Sequence, residues 1–317
     1  MSVINTIHPF IDLWLINNTY DYISEPKYLS ATSILKPLKS IVLSYREVPN
    51  STIDLQDSIA ASMGTAIHDS IEKAWFSKNL PNNLELLGHK NNIEVNPVEP
   101  SKDKIQVYLE QRQIKQFCGW KIGGKFDCIF DGTLIDVKTT SVYTYSSGSH
   151  DEDYIKQCSI YRWLNQDKVT SDTFYICFIF KDWTANNTYK SGYPRSRIVF
   201  KPYTLMSVED TEAYLRNKLF QIDCNLQKPQ DELPPCSDSE LWRSSTVYKY
   251  YSDPTKVGGR SNKNFTSYEE ALEYKASKAS KEPNGIIITY LGQAKRCKYC
   301  PCNHICEQGM GNLYGHK

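Results

Sequence analysis

The sequence has no long hydrophobic run and no marked excess of one charge. It contains no stretch of about 18 consecutive apolar residues, which is the least that a membrane-spanning helix requires. The N-terminus has no basic segment followed by an apolar segment and a small-residue cleavage site, which is the pattern of a secretory signal. The formal net charge of the 317 residues is +1. We therefore expect a cytoplasmic protein that has no membrane partner.

Cysteine is absent from the first third of the chain and concentrated near its end. No cysteine precedes Cys118, and the last four of the ten lie in the segment RCKYCPCNHIC. The others are isolated in apolar stretches, which is typical of buried thiols. This distribution predicts a reducing compartment and a metal site, and it argues against a disulfide framework. The cysteines are Cys118, Cys128, Cys158, Cys177, Cys224, Cys236, Cys297, Cys300, Cys302 and Cys306.

The small net charge hides an asymmetry. Residues 243–317 contain 12 Lys and Arg against 6 Asp and Glu, a net charge of +6, and the rest of the chain carries −5. A basic part beside a carboxylate-rich part suits a polyanionic substrate that is brought to a metal centre. An ordinary basic surface would show the same charge.

The stretch GWKIGGKFDCIFDGTLIDVKTT, residues 119–140, is the one around which the chain is organised. Residues 121–130 alternate and are rich in β-forming residues, and residues 134–139 form a second short apolar run, so we predict two strands. Asp131-Gly132 lies between them and is a strong hairpin signal.

This predicted hairpin brings Asp127 close to Asp136. Asp136 and Lys138 are two residues apart, so they project from the same face of their strand. Burial of unpaired charge costs free energy, so two carboxylates and a lysine in an apolar sheet should be paired with each other or bound to metal. A solvated surface ion pair is the alternative for a DxK triplet alone.

Residues 54–78 show the period of an amphipathic helix. Apolar residues recur every fourth position and predict a core-facing stripe, which consists of Ile59, Met63, Ile67, Ile71 and Trp75. Gly64, His68 and Glu72 form a neighbouring stripe, on which we expect Gly64 to permit a close approach. His68 is a candidate metal ligand, although an isolated helical histidine is often an ordinary packed or surface residue.

The other segments alternate between strand and helix patterns. Gln157 and Tyr161 lie one turn apart on a predicted helix over residues 153–165, which is otherwise a generic amphipathic helix. We predict loops over residues 79–104 and 141–153 and a basic loop over residues 258–264. The remaining predicted helices cover residues 33–43, 206–226 and 267–281, and the remaining predicted strands cover residues 105–110, 173–180, 197–203, 247–251 and 286–291.

Four motifs occur in the order that one nuclease family requires. They are Gly64-x3-His68, Gly124-x2-Asp127, Asp136-x-Lys138 and Gln157-x3-Tyr161, on helix, strand, strand and helix. The chain resembles the RecB-like branch of the PD-(D/E)XK nucleases over residues 28–306, and in particular phage-type exonucleases that are similar to CRISPR-adaptation nucleases. The resemblance implies an α/β fold with a restriction-endonuclease-like core, a mixed central sheet flanked by helices, and a C-terminal cysteine-cluster module.

The resemblance also implies a set of site residues. The side chains of His68, Asp127 and Asp136, with the carbonyl of Val137, would bind Mg²⁺ or Mn²⁺. Lys138 would orient the attacking water or help to deprotonate it, and it would offset charge in the transition state. The side chains of Gln157 and Tyr161 would position the DNA strand, and Glu72 would contact His68 from outside the ligand set.

The spacing Cys297-x2-Cys300-x5-Cys306 resembles the last three ligands of the [4Fe–4S] cluster in nucleases of this branch. In many of them the first ligand precedes the histidine motif, where this chain has no cysteine. Cys236, in PPCSDSELW, is therefore the candidate fourth ligand. Zinc is the alternative, with Cys236, Cys302 or His304 completing the site; free thiols are a third interpretation.

The resemblance predicts a metal-dependent deoxyribonuclease, an exonuclease of DNA recombination, repair or degradation. A structure-specific endonuclease or a catalytically silent DNA-binding protein on the same fold is the alternative. DNA with single-stranded ends is the expected partner, with a helicase, recombinase or single-strand-binding protein beside it, in the host cytoplasm if a phage encodes the protein. The predicted organisation is an N-terminal helical segment (1–50), a nuclease core (51–228) and a basic cysteine-bearing module (229–317).

Overall fold

The computed structural model describes residues 2–17, 22–46, 52–90 and 92–314. The chain divides into two units. Unit 1 comprises Met1–Lys36 and Ser51–Asp223, and unit 2 comprises Pro37–Asn50 and Cys224–Lys317. Residues 1–50, which the sequence suggests as one segment, are thus shared between the two units. The proposed boundary at 50/51 lies outside the described residues, and the division into three domains stays a prediction.

The chain is a mixed α/β protein with several sheets and flanking helices. The helices are α1 (Pro9–Ile16), α2 (Leu38–Arg46), α3 (Leu55–Trp75), α4 (Leu80–Leu86), α5 (Val142–Ser147), α6 (Asp151–Leu164), α7 (Val208–Asn225), α8 (Tyr268–Lys278), α9 (Lys295–Lys298) and α10 (Glu307–Tyr314). The strands are β1 (Ser2–Ile4), β2 (Tyr28–Ser30), β3 (Thr52–Asp54), β4 (Ile93–Val95), β5 (Ile105–Leu109), β6 (Arg112–Phe117), β7 (Trp120–Lys125), β8 (Cys128–Phe130), β9 (Thr133–Thr140), β10 (Thr173–Phe180), β11 (Ile198–Thr204), β12 (Val247–Tyr251), β13 (Lys263–Phe265) and β14 (Ile286–Tyr290).

A six-stranded mixed sheet forms the centre of unit 1. Its strand order is β11-β10-β9-β8-β5-β4, with β9 parallel to β10, β4 parallel to β5 and the other pairs antiparallel. β10, with the sequence TFYICFIF, is buried over most of its length, as expected for a continuous apolar strand between two neighbours. The helices α3 and α6 both contact β9. Side chains of β9 therefore meet groups from both helices.

One long hairpin runs from this sheet into a three-stranded sheet of order β2-β7-β6. Val107 pairs with Phe130 in the large sheet and Arg112 pairs with Lys125 in the small one, in one continuous antiparallel register. The hairpin bends between the two sheets at Glu110 and Asp127, where the Glu110 amide donates to the Asp127 carbonyl at 3.2 Å. Glu110 has a φ of 54°, in the left-handed region that residues with a Cβ seldom adopt. The bend is therefore a strained corner that carries two carboxylates.

The predicted central hairpin is confirmed with one correction. Asp131 and Gly132 have φ angles of 46° and 75°, and β8 pairs with β9 around them. The single strand expected over residues 121–130 is wrong, because β7 and β8 lie in different sheets and the chain bends at Asp127. The turn at Cys118-Gly119, also with positive φ angles, closes β6 onto β7 and was not expected.

The long helix is confirmed as α3, but its predicted core stripe is wrong. Its apolar residues are half-buried, Met63 is exposed, and Leu55 at the first position is the buried member among those described. This follows because α3 lies on the surface and touches α1, β3 and β9. The close approach expected at Gly64 is also wrong, since a Cβ there would meet Thr139 at an ordinary 4.0 Å.

Three other predictions need correction. The expected loop at 79–104 contains α4 and β4, and the expected loop at 141–153 contains α5. The helix expected over 33–43 begins only at Leu38, because Pro37 cannot lie inside a helix. Residues 31–36 form turns in which the Ser30 hydroxyl accepts from the Ser33 amide. The helices α6, α7 and α8 and the strands β10, β11, β12 and β14 agree with prediction within a few residues.

Unit 2 contains a three-stranded antiparallel sheet of order β13-β12-β14, with α8 packed on it. Tyr250, Phe265 and Ala271 form its buried cluster. A second cluster joins α2 to the C-terminal cysteine segment through Val42, Leu43 and residues of that segment. In the described part of the chain, no helix combines the length and the hydropathy needed to cross a bilayer.

Glycine at position 124 on β7 allows α6 to pack closely. A Cβ there would lie 2.8 Å from Tyr161 Cε1 and 3.0 Å from Leu164 Cδ1. We expect Gly124→Ala to destabilise the protein by about 1–3 kcal/mol through this overlap. Gly64→Ala is the control, because it meets no close atom and should stabilise α3 by up to about 1 kcal/mol. Thermal melts would contradict this packing if both variants shifted the midpoint in the same direction.

Candidate metal centre

Three potential ligands converge at the bend of the long hairpin. His68 Nε2, on α3, lies 3.2 Å from Glu110 Oε1 and 3.2 Å from Asp127 Oδ1. One ligand atom from each of these residues lies within 4.8 Å of the other two. The site arises because His68 of α3 lies against the bend of the long hairpin. The helix contributes one potential ligand, and each side of the bend contributes another.

Asp127 joins this group to β9. Its Oδ2 accepts a hydrogen bond from the Val137 amide at 2.8 Å, while its Oδ1 faces His68. Val137 lies between Asp136 and Lys138 in the sequence. The hydrogen bond therefore fixes the position of the Asp127 side chain along β9, next to those two residues. The Val137 amide makes this contact. The role of metal ligand that is predicted for the Val137 carbonyl stays a prediction.

The buried Asp136 and the half-buried Lys138 form an ion pair beside the corner. Lys138 Nζ lies 2.6 Å from Asp136 Oδ2, and the Asp136 side chain is only 3% exposed. Lys138 also lies over the ring of Tyr154, 5.8 Å from its centroid. The same-face projection that the DxK spacing predicts is confirmed.

Helix α6 supports Asp136 from the other side. Gln157 Nε2 donates to the Tyr161 hydroxyl at 2.8 Å and faces Asp136 Oδ1 at 3.4 Å. Both side chains are buried, and the Tyr161 ring packs on Gly124. In these contacts Gln157 and Tyr161 hold Asp136 in place. The DNA-positioning role that the family resemblance implies for them stays a prediction.

Burial and mutual charge shift the pKa values of the site residues in different directions. The hydrogen bond to Asp127 raises the pKa of His68 to about 9. Burial raises the pKa of Asp136 to about 6, and Lys138 opposes that shift. Burial would lower the pKa of Lys138, but the charges of Asp136 and Asp127 prevail and raise it. The environment therefore favours an imidazolium at His68 and an ammonium at Lys138 while no other cation is present.

Asp127 and Glu110 shift in opposite directions. Burial opposes ionisation of Asp127, yet the His68 hydrogen bond, the Lys138 charge and the Val137 amide together hold its pKa below the usual range. Burial raises the pKa of Glu110 despite Lys125, whose Nζ lies 2.5 Å from Glu110 Oε2. Asp127 is thus the most firmly anionic group at the corner.

Two buried carboxylate oxygens have incomplete hydrogen bonding. Among the described residues, Glu110 Oε2 and Asp136 Oδ2 have no well-aligned donor, although a lysine ammonium lies near each. The short ion-pair distances of 2.5 and 2.6 Å show that each oxygen is paired with its lysine. Each oxygen still has lone pairs without a donor, and a buried oxygen in that state costs free energy.

The sequence interpretation missed Glu110 and Lys125. Glu110 follows the apolar run IQVYL and carries no motif of its own. A hairpin that turns at Cys118-Gly119 has a register that places residue 110 opposite residue 127. Prediction of that turn would therefore have placed Glu110 next to Asp127. Cys-Gly is not one of the dipeptides that mark such turns. Glu72, expected beside His68, lies one turn further along α3.

A second candidate centre lies in unit 2. Burial raises the pKa of the Cys236 thiol to about 11, and the charges of Glu240 and of the thiols of Cys306, Cys300 and Cys297 add to that shift. Cys236 packs against the buried cluster that contains Cys297. Gln308 of α10 clamps the Cys236 backbone through two hydrogen bonds of 2.9 and 3.0 Å.

The other donors at this centre come from main-chain and side-chain groups of unit 2. The Gly309 amide donates to Cys306 Sγ at 3.3 Å, and Asn312 Nδ2 donates to Cys297 Sγ at 3.6 Å. Cys300 and Cys302 both face α2: the Ser40 hydroxyl lies 3.5 Å from the Cys300 sulfur, and the Ser44 hydroxyl lies 3.1 Å from the Cys302 sulfur. Of the two alternative fourth ligands, Cys302 is buried and His304 is exposed.

Comparison with known proteins gives little guidance. No protein-family model matches the chain, and no curated protein matches it. Among solved structures the chain is similar to SSO0001, with 14% sequence identity, a TM-score of 0.39 and coverage of 63% of this chain and 78% of that one. A likeness at that level carries no conclusion about function.

The imidazole of His68 should titrate near pH 9 in EDTA, because Asp127 holds its proton. Since the folded pKa exceeds the unfolded value of 6.5, this contribution to the free energy of unfolding is fully present below pH 6.5 and is lost as the pH rises through about 9. NMR of the histidine side chains would measure it, with His68→Asn identifying the signal. A His68 signal that titrates at or below pH 6.5 would contradict the hydrogen-bonded cluster.

Proposed function

We propose that this protein is a divalent-metal-dependent DNA nuclease with the PD-(D/E)XK core of the RecB-like branch. One observation carries the proposal: the cluster of His68, Glu110 and Asp127 is linked through the Val137 amide to the ion pair of the buried Asp136 with Lys138. A surface ion pair would have neither a buried carboxylate nor the convergence of a third one. Charged groups gathered at such cost are characteristic of functional sites.

The donor set fits a hard divalent cation. Carboxylate oxygens dominate it, which suits Mg²⁺ or Mn²⁺, and the imidazole adds tolerance for Mn²⁺. The incompletely bonded oxygens of Glu110 and Asp136 have lone pairs to offer, and a raised His68 pKa marks a place where positive charge is stabilised. We propose His68, Asp127 and Asp136 with the Val137 carbonyl as ligands, as the family resemblance implies, and add Glu110 from the geometry.

A bound cation would polarise the scissile phosphate and acidify a water molecule. Lys138, held as an ammonium between Asp136 and Asp127, would orient that water and offset charge on the phosphate. An ammonium has no lone pair to accept a proton, so the orienting role suits Lys138 better than the alternative role of base. Gln157 and Tyr161 would keep Asp136 fixed while Lys125 offsets the charge of Glu110.

Among nucleases we favour an exonuclease of DNA recombination, repair or degradation that acts in a reducing cytoplasm with a helicase, recombinase or single-strand-binding partner. A structure-specific endonuclease is the second candidate. A catalytically silent DNA-binding protein is disfavoured, because a silent relative has no need of Asp127, Asp136 and Lys138 together.

We also propose that Cys236, Cys297, Cys300 and Cys306 hold a structural [4Fe–4S] cluster. The spacing Cys297-x2-Cys300-x5-Cys306 supports this proposal, because it resembles that of the last three cluster ligands in nucleases of this branch. Zinc, with Cys236, Cys302 or His304 completing the site, is the alternative. The amide donors at Cys297 and Cys306 are of the kind that tunes such clusters.

Asp136→Asn or Lys138→Ala should abolish Mg²⁺-dependent DNA cleavage and leave DNA binding intact, because each change removes one charge of the site. Digestion of end-labelled single- and double-stranded DNA measures the first property, and fluorescence anisotropy measures the second. Asp167→Asn and Lys121→Ala change equivalent charges away from the site and should cleave normally. Activity retained in either site variant would overturn the assignment.

Protein that is purified without oxygen should be brown and absorb light at about 400 nm, as iron–sulfur clusters do. Cys300→Ser should lower the thermal midpoint because metal binding and folding are coupled. Cys224→Ser, which changes an exposed cysteine outside the four, should not lower it. Stoichiometric zinc without iron would establish the alternative metal, and an unchanged midpoint in Cys300→Ser would argue against a structural role.

A further inference from the structure

A long loop begins where β10 ends beside the active-site strand. β10 finishes at Phe180, which pairs with Thr140 of β9, and β11 begins at Ile198. Residues 181–197, here called the β10–β11 loop, therefore start three residues beyond the level of Lys138, which pairs with Phe178, or about 10 Å along the strand. The loop contains one short 3₁₀ helix, Ala185–Asn187, and loops of this length are often functional.

The loop is held in shape by its own hydrogen bonds. Trp183 Nε1 donates to the Pro194 carbonyl at 2.9 Å, and the Thr184 amide donates to the Tyr193 hydroxyl at 2.9 Å. Arg195 Nη1 donates to the Thr188 carbonyl at 2.7 Å. These contacts cross the loop and leave its outer side chains on a preformed surface.

The same loop is joined to helix α5 at two points. Asp182 Oδ1 accepts from the Val142 amide at 2.8 Å, and the Ser146 hydroxyl donates to the Gly192 carbonyl at 3.4 Å. Because α5 directly follows β9, the helix and the loop form one surface at the end of β9 and β10.

The aromatic residues on this surface fall into two classes. Tyr145 packs edge-on against Phe178 and Phe180, each at 5.2 Å, and thereby anchors α5 to the sheet. Tyr143 lies two positions earlier, about 200° around the helix, and is 79% exposed. In the loop, Trp183 is hydrogen-bonded and half-buried, whereas Tyr189 is 78% exposed. Packing therefore explains Tyr145 and Trp183 but does not explain the exposed rings of Tyr143 and Tyr189.

The β10–β11 loop is basic, and one of its cations lies beside the exposed ring of Tyr189. The loop contains four basic residues and one acidic residue, Asp182, a net charge of +3. Lys190 Nζ lies 5.9 Å from the centroid of the Tyr189 ring. The basic residues, all exposed, are Lys181, Lys190, Arg195 and Arg197.

We propose that Tyr143 and Tyr189 stack on unpaired bases of single-stranded DNA, whose backbone follows the basic residues of the β10–β11 loop towards Lys138. Exposed rings beside a cationic track are what sequence-independent single-strand binding requires, since every base has a face on which an aromatic ring can stack. A duplex hides those faces and offers only its phosphates to the same surface. The proposal deepens the proposed function and names single-stranded DNA as the form that this surface selects.

The test measures binding without cleavage in the full chain carrying Asp136→Asn, in EDTA. The probes are a fluorescein-labelled oligo-dT of about 16 nucleotides, a site size seen in single-strand binding, and a blunt hairpin duplex. We expect Tyr143→Ala and Tyr189→Ala each to weaken oligo-dT binding about fivefold or more and to change hairpin binding little. Tyr→Trp at either position should retain binding of oligo-dT.

Phe220→Ala provides the matched control, because Phe220 is an aromatic residue of unit 1 that is 67% exposed on α7 and belongs to neither element. It should bind both probes normally. Unchanged oligo-dT binding in the double tyrosine variant would overturn the proposal. Equal loss for both probes would overturn it in favour of a purely electrostatic surface. Cleavage by the unmodified chain decides the nuclease proposal separately, so the two can fail independently.

Discussion

The arrangement of unit 1 depends on compensation of negative charge buried at a bend in the sheet. Glu110, Asp127 and Asp136 bring three carboxylates to one region, and each ionised carboxylate removed from water costs several kcal/mol unless it is paired. Three positive partners offset them: His68, Lys125 and Lys138. Loss of any partner would leave a charge unpaired in an apolar sheet, so the cluster acts as a unit.

The same charges explain why the corner is suited to chemistry. The positive partners lie on different elements, and a protonated His68 occupies a place that suits a cation. In the proposed metal site a divalent ion would take the place of that proton, while Gln157 and Tyr161 support Asp136 from α6. The hairpin bend requires Glu110 to adopt a left-handed backbone conformation, with a φ of 54°. Backbone strain of this type clusters at functional sites.

Unit 2 is organised by a different kind of group. Its cysteines come from the segment before the sheet and from the C-terminal turns, and Gln308 fixes Cys236 through its backbone. Small apolar clusters surround these thiols. A metal group there would join segments that are far apart in sequence, which is where a cross-link adds most to stability. The predicted nuclease chemistry and the predicted cysteine centre thus belong to separate units.

Local patterns in the sequence determined much of the secondary structure and part of the site. Asp131-Gly132 specified its turn because few residues tolerate positive φ, and the DxK spacing placed Asp136 and Lys138 on one face because strand side chains alternate. The helical period found α3 and α6. Periodicity cannot show how deeply a helix is buried, which is why the α3 stripe was overestimated.

Only the tertiary structure decided the remainder. Glu110 joined the site because two strands bend together between sheets, and no local pattern records a bend shared by residues far apart in sequence. Packing also determined that Tyr145 contacts the sheet whereas Tyr143 is exposed, although both are tyrosines on one short helix. The exposure of a ring depends on what lies against it. Local signals specify backbone conformation, whereas convergence and exposure are properties of the assembled chain.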